Sequence, residues 1–181
     1  MCQLTAGLKD FVHEFCRWRQ VSGLVRTVPY EDVIRRIEEN GGIVIDKIHA
    51  GLDQTAGVAK AYAMGYKNIA VTVAIPEEAA KIRKLYPDAI IFGVHVTGLN
   101  CEEAEMFVSA ADLVTSCASK TLREFAGKKA LLQAGVAVPI FAVTKKAKDL
   151  IIEKIRQSNE PVLFKTTRLP ALSEKQPEPL I

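Results

Sequence analysis

The stretch NIAVTVAIPEEAAKIRKLYPDAIIFGVHV, Asn68 to Val96, decides the class of fold. Asn68 to Ala74 is a short apolar run with the composition of a buried strand. Pro76 to Tyr86 then reads as a helix, with proline at the first turn, where its missing N–H costs no hydrogen bond. Ala89 to Val96 is a second strand. Two strands joined through a helix run parallel, because a parallel pair needs a crossover that a tight turn cannot supply.

Working outward, the alternation continues on both sides. Upstream, Gly42 to Asp46 reads as a short buried strand and Thr55 to Met64 as a helix of small residues ended by Gly65. Before these, Thr27-Val28-Pro29 starts a helix through Val33, Ile34 and Ile37 that stops at Asn40-Gly41-Gly42. Downstream come a helix from about Asn100 to Ala110, a strand at Leu113 to Thr115, a helix from Ser119 to Ala126 and a strand at Val138 to Val143. Lys145 to Gln157 as helix and Pro161 to Phe164 as strand complete the series.

This pattern predicts an α/β fold: a three-layer αβα sandwich with a mostly parallel, Rossmann-like sheet of about six strands. A closed barrel would need about eight such units, so the open sheet is preferred. The expected α/β domain covers residues 20–169. Leu4, Leu8, Phe11, Val12 and Phe15 recur at helical spacing before it, so residues 1–19 read as an amphipathic helix suited to a partner or oligomer contact. Residues 170–181, with alternating charges and several prolines, read as a flexible tail.

The composition, 49% hydrophobic and 25% charged over 181 residues, suits one ordinary globular core. The 24 basic and 21 acidic residues are intermixed, which gives nucleic-acid binding no support. No apolar run approaches the roughly 20 residues of a membrane helix and the start lacks the order of a signal peptide, so a cytoplasmic protein is expected. Cys2, Cys16, Cys101 and Cys117 are widely spaced, without a CxxC or CxxH pair, and are expected to be reduced thiols.

In open parallel sheets ligands bind beyond the carboxyl ends of the strands. The sequence places polar groups after nearly every expected strand: Asp46, His95 with Thr97 and Gly98, Thr115 to Lys120, Thr144 with Lys145, and Thr166, Thr167 and Arg168. The densest is Thr115-Ser116-Cys117-Ala118-Ser119-Lys120, where a strand turns into a helix. Free N–H groups at a helix start, with Ser119 and Lys120 beside them, suit a phosphate or carboxylate. Serine and threonine are also ordinary helix caps there, and Asp53 before its helix is most simply a cap.

The candidate ligand-binding residues are therefore Thr115, Ser116, Ser119, Lys120, Thr97 and Asp46. Cys117 beside a lysine at a helix start suits a nucleophile, a metal ligand or a redox sensor, and a buried inert cysteine is the plain alternative. His95 suits proton transfer or a scaffold hydrogen bond. Convergence of His95, Cys101 and Cys117 would give three soft ligands for an open metal site. No GxGxxG, P-loop, GxSxG or HExxH pattern is present, so dinucleotide binding, P-loop hydrolysis, serine hydrolysis and zincin chemistry lack their usual signatures, and no cofactor is named.

Several blocks together resemble one known family. These are Ser22-Gly23-Leu24-Val25, Gly41-Gly42-Ile43-Val44, Gly65 to Ala74, Ala111 to Lys120, Arg123 to Gly127, Ala130 to Gly135 and Pro139 to Thr144. In this order, from about Gln20 to Pro170, they are similar to the methanogenesis marker protein 8 family. The resemblance implies a source among methane-producing archaea or related anaerobes and an accessory role around methanogenic enzymes and their cofactors. It names no active-site residue. Residues 1 to about 19 do not resemble the longer, glycine-bearing amino-terminal region of that family, which implies a shortened relative or a fragment.

Three functions follow as expectations. One is binding of a small anionic ligand or cofactor at the loop edge, with His95 or Cys117 as the reactive group. Another is a non-catalytic accessory protein that docks a partner enzyme or a second copy of itself. The third, a thiol-based metal or redox carrier, requires Cys101 and Cys117 to lie within ligand distance.

Overall fold

A computed structural model of the chain describes residues 28–174, 176 and 177. The expected amphipathic helix at residues 1–19 lies outside the described residues. The chain divides into two compact units, Met1–Tyr66 and Lys67–Ile181.

In the first unit, helix α1 spans Glu31–Glu39 and helix α2 spans Gln54–Ala63. Glu31 and Asp32 stand at the positive end of α1, where carboxylates are favoured. Gly41, at φ 78°, adopts the left-handed conformation that turns the chain away from the helix end. Asp53 caps α2 as expected, accepting the Ala56 N–H at 2.7 Å. Thr55, Val58 and Ala61, three residues apart, make its buried face together with Gly57.

The expected strand at Gly42 to Asp46 does not form. Among the described residues no strand pairs with it, and the Asp46 carboxylate instead collects backbone N–H groups from its own loop, a local competitor of strand pairing.

The second unit holds β1 (Ala70–Val73), α3 (Pro76–Leu85), β2 (Ile90–Gly93), α4 (Cys101–Ala110), β3 (Leu113–Thr115), α5 (Lys120–Lys129), β4 (Leu132–Ala134), β5 (Ile140–Ala142) and α6 (Lys145–Arg156). The five strands form one sheet in the order β1-β2-β3-β5-β4. β1, β2 and β3 are parallel, with Ala70 opposite Ile90 and Phe92 opposite Leu113. β5 is antiparallel to both β3 and β4.

The sheet is thus mixed and, beyond the absent Gly42 to Asp46 strand, departs from the mostly parallel, six-stranded expectation at two further places. Pro161 to Phe164 is not a strand, and Leu163 in it is 89% exposed. β4, unexpected from sequence, reaches β5 through only residues 135–139, too short for a crossover, so the pair is a hairpin and β5 reverses direction.

Ile90, Leu113 and Ala142 pack with Ala147, Leu150 and Ile151 of α6 on one face of the sheet. Alternation along β2 turns Gly93 to the other face, where it lies against Phe107 of α4. α3 packs on α4, and α4 on α5. Because the parallel strands follow in sequential order, β1 to β3 contain no topological switch point, the feature that makes a ligand crevice in doubly wound sheets.

At the amino edge of the parallel strands, the buried Asp112 carboxylate accepts the Ile91 N–H at 2.9 Å, the Thr144 hydroxyl at 2.8 Å and the Arg83 guanidinium. Arg83 also donates to the carbonyls of Ala110, Pro87 and Ala89. Reversal of β5 therefore carries Thr144 and Lys145 to the edge opposite the one expected. There Thr144 caps α6 by accepting the Ala147 N–H at 3.2 Å.

Candidate functional site

At the carboxyl edge, the chain leaves β2 through residues 94–100 and leaves β3 through residues 116–119. Thr115 joins the two exits: its hydroxyl donates to the Gly93 carbonyl at 3.0 Å and lies 3.6 Å from the Cys117 sulfur. His95 and Cys117 both adopt positive φ, 55° and 39°, a conformation uncommon for side-chain-bearing residues and concentrated at functional turns. His95 and Thr97 are exposed, and Cys117 is half-buried.

The turn into α5 is built tightly. The Ser116 N–H donates to the Pro139 carbonyl at 2.9 Å, and the Ser119 N–H donates to the Ser116 carbonyl at 3.0 Å. Ser119 caps α5 by accepting the Leu122 N–H at 3.2 Å, so the plain reading of this serine holds. The N–H groups of Lys120 and Thr121, ahead of the first intrahelical bonds, have no acceptor among the described residues. Ser116 is fully buried, and its hydroxyl has no hydrogen-bond partner among the described residues.

The structure thus brings together Thr115, Ser116, Cys117, Ser119 and Lys120. Cys101 opens α4 and is exposed. Among the described residues no group of three His, Cys, Asp or Glu side chains is placed to hold a metal ion, so His95, Cys101 and Cys117 do not make the three-ligand set considered from sequence. Thr166, Thr167 and Arg168 are exposed and follow no strand.

A cavity of about 440 Å³ lies beside the start of α5, lined by Lys120, Arg123, Glu124, Pro170, Leu172, Glu174 and Gln176. Sequence reasoning missed Arg123, a buried residue whose Nη1 donates to the Cys117 carbonyl at 3.4 Å and the Pro177 carbonyl at 3.0 Å. Pro170 packs so closely on Gly127 that a Cβ there would stand 2.6 Å from its ring. Such an approach is open only to glycine.

Residues 12–156 match the family described as "Uncharacterized protein conserved in archaea (DUF2099)". The chain belongs to this family. A relative from Methanocaldococcus jannaschii, "Uncharacterized protein MJ0054", is 41% identical over 165 residues, which is 90% of this chain. The chain spans 58% of the length of that relative. No solved structure matches this member of the family. None of its described helices is long and apolar enough to cross a membrane.

Asp46 belongs to the other unit. Its carboxylate accepts the N–H groups of His49 at 2.9 Å, Ile48 at 3.1 Å and Gly51 at 3.3 Å. The bond from His49 is the largest influence holding its pKa below the ordinary value of 3.8, and those from Gly51 and Ile48 act in the same direction. A depressed carboxylate contributes order above the unfolded pKa and loses it as pH falls through the folded one. In an NMR titration, the amide shifts of Ile48, His49 and Gly51 should therefore move together with a midpoint below pH 3.8, and Asp46→Asn should remove that transition. A midpoint above this value would contradict the assignment.

Proposed function

We propose that this domain binds a small anionic ligand at the turn from β3 into α5. The carrying observation is the Ser116 hydroxyl, buried without a partner inside the turn. A buried hydroxyl left unbonded costs about 1–3 kcal/mol, a cost that a bound acceptor removes. The open N–H groups of Lys120 and Thr121, the positive end of α5 and the Lys120 ammonium favour an anion in the same place. Ser119, whose oxygen serves the cap, still has its hydroxyl proton to donate.

Thr115 ties the end of β2 at Gly93 to this turn, and Cys117 and His95 are the groups available for chemistry on a bound ligand. The resemblance to the methanogenesis marker protein 8 family supports a ligand drawn from the coenzymes of methane-forming metabolism. Because the chain spans 58% of its curated relative, any activity of the longer protein is part of this proposal.

The test is a pair of thermal melts, without and with phosphate, nucleotides or thiol coenzymes. Ser116→Ala should leave the ligand-free protein as stable as the parent or more so, since it deletes an unpaired buried group. The same substitution, and Lys120→Ala, should abolish the ligand-dependent rise, which is about 2.7 kcal/mol at a hundredfold excess over Kd. A parent protein that responds to none of the panel would end this reading.

A second reading, an accessory protein docking a partner enzyme, is favoured by one feature. Val162, Leu163 and Phe164 are consecutive, apolar and 47%, 89% and 68% exposed.

A further inference from the structure

We infer that Arg123 is the charge-reading residue of this site, holding the carboxylate or phosphate of a small ligand whose apolar part lies on Pro170 and Leu172. The inference rests on the ligand-binding reading above and adds to it a residue, a cavity and a class of molecule.

Among the described residues two arginines, Arg83 and Arg123, have much of their surface covered, and the fold treats them oppositely. Arg83 uses Nε and both terminal nitrogens, and it has the Asp112 carboxylate as counter-charge. Arg123 is more deeply placed, 3% exposed, yet among the described residues only its Nη1 finds acceptors, and both are neutral carbonyls. Its Nε and Nη2 have no acceptor among the described residues, and no carboxylate there lies within ion-pairing distance. A guanidinium removed from water without a counter-charge is costly, and its fork of donors matches an oxyanion.

Arg123 also stands in the opening turns of α5, where a cation opposes the helix dipole. Lys145 and Lys146 begin α6 in the same way, but they are exposed to solvent. Arg123 cannot be relieved by solvent to the same degree.

The cavity beside it has room for a ligand of metabolite size. Pro170 and Leu172 give an apolar wall, and Gln176 presents a buried Oε1 with no donor among the described residues, fitted to a hydroxyl or N–H on the ligand. Glu124 and Glu174, both exposed, stand at the rim and disfavour a second anionic group. The ligand class is therefore a small molecule with one oxyanion head, a short apolar part and a hydrogen-bond donor.

Isothermal titration of the full chain with butyrate, 2-hydroxybutyrate, butyl phosphate and inorganic phosphate tests this, with butylammonium as the cationic control. At least one organic anion should bind, with 2-hydroxybutyrate tighter than butyrate, and the two phosphates report whether the head is carboxylate or phosphate. Arg123→Lys keeps the charge but not the fork, and should weaken binding at least tenfold. Leu172→Trp fills the cavity from an exposed position and should do the same, which decides the matter if Arg123→Lys does not fold. Anion binding unchanged in Leu172→Trp and in a folded Arg123→Lys, but lost in Ser116→Ala, would overturn the role of Arg123 and leave the turn as the site. Binding lost in the first two and retained in Ser116→Ala would support Arg123 and remove Ser116 from the site. Failure of all four anions to bind the parent protein, or preference for butylammonium, would overturn both.

Discussion

Replacing Asp112 with alanine should destabilise the Lys67–Ile181 unit by about 3–5 kcal/mol, the range for breaking a buried ion pair from one side. Three donors lose their acceptor at once: the Ile91 N–H, the Thr144 hydroxyl and Arg83 Nη2. The Arg83 side chain is 27% exposed, so water recovers part of its charge and the lower end of the range is expected. Asp112→Asn is the informative companion. Its carbonyl oxygen can serve Ile91 and Arg83 while its NH₂ donates to the Thr144 hydroxyl, leaving mainly the loss of charge, roughly 1–2 kcal/mol. Urea unfolding of both variants at neutral pH checks this, and equal losses would show that the charge of Asp112, not its hydrogen bonds to Ile91 and Thr144, carries the stability.

Gly93→Ala should cost about 1–3 kcal/mol, the usual range for overpacking a filled core. The new Cβ would stand 2.6 Å from Cε1 and 3.1 Å from Cζ of Phe107, whose ring is fully buried and has nowhere to swing. β2 is paired on both sides and cannot retreat without breaking its ladders. Phe107→Leu opens space at the point of contact, so the two substitutions together should cost less than their separate sum. Strict additivity in that cycle would mean that the strand shifts instead of the ring.

The two substitutions probe parts of the fold that differed in how readable they were. The β1-α3-β2 unit was legible because apolar runs, Pro76 and a helix-length spacer all point the same way. Ile43-Val44-Ile45 looks equally strand-like, but an apolar run becomes a strand only with a partner, and Asp46 satisfies the local backbone instead. β4 was hidden because Leu132-Gln133-Ala134 is too short for alternation to show, and without it the reversal of β5 could not be foreseen. That reversal moved Thr144 and Lys145 away from the expected edge.

At the candidate site, the small hydroxylated turn was legible as a helix start. The burial of Ser116 without a partner was not, because it depends on Pro139 and the docked hairpin. Arg123 was hidden for a related reason. A basic residue four positions after a helix cap reads as solvated, and nothing in the sequence shows that Pro170 returns over Gly127 and that the Pro177 carbonyl bonds Arg123.

The β4–β5 hairpin also bears on when the site exists. Its two strands are separated by five residues and can pair within microseconds, as local contacts do. The seam between β3 and β5 joins residues such as Leu113 and Ala142, far apart along the chain, and must close a long loop first. The Ser116–Pro139 bond belongs to that late seam. The turn therefore depends on a contact distant in sequence, and local detachment of the hairpin from β3 would open it even with β1, β2 and β3 paired. A ligand seated there would act as a latch on the hairpin, slowing its breathing through the bond between the Ser116 N–H and the Pro139 carbonyl.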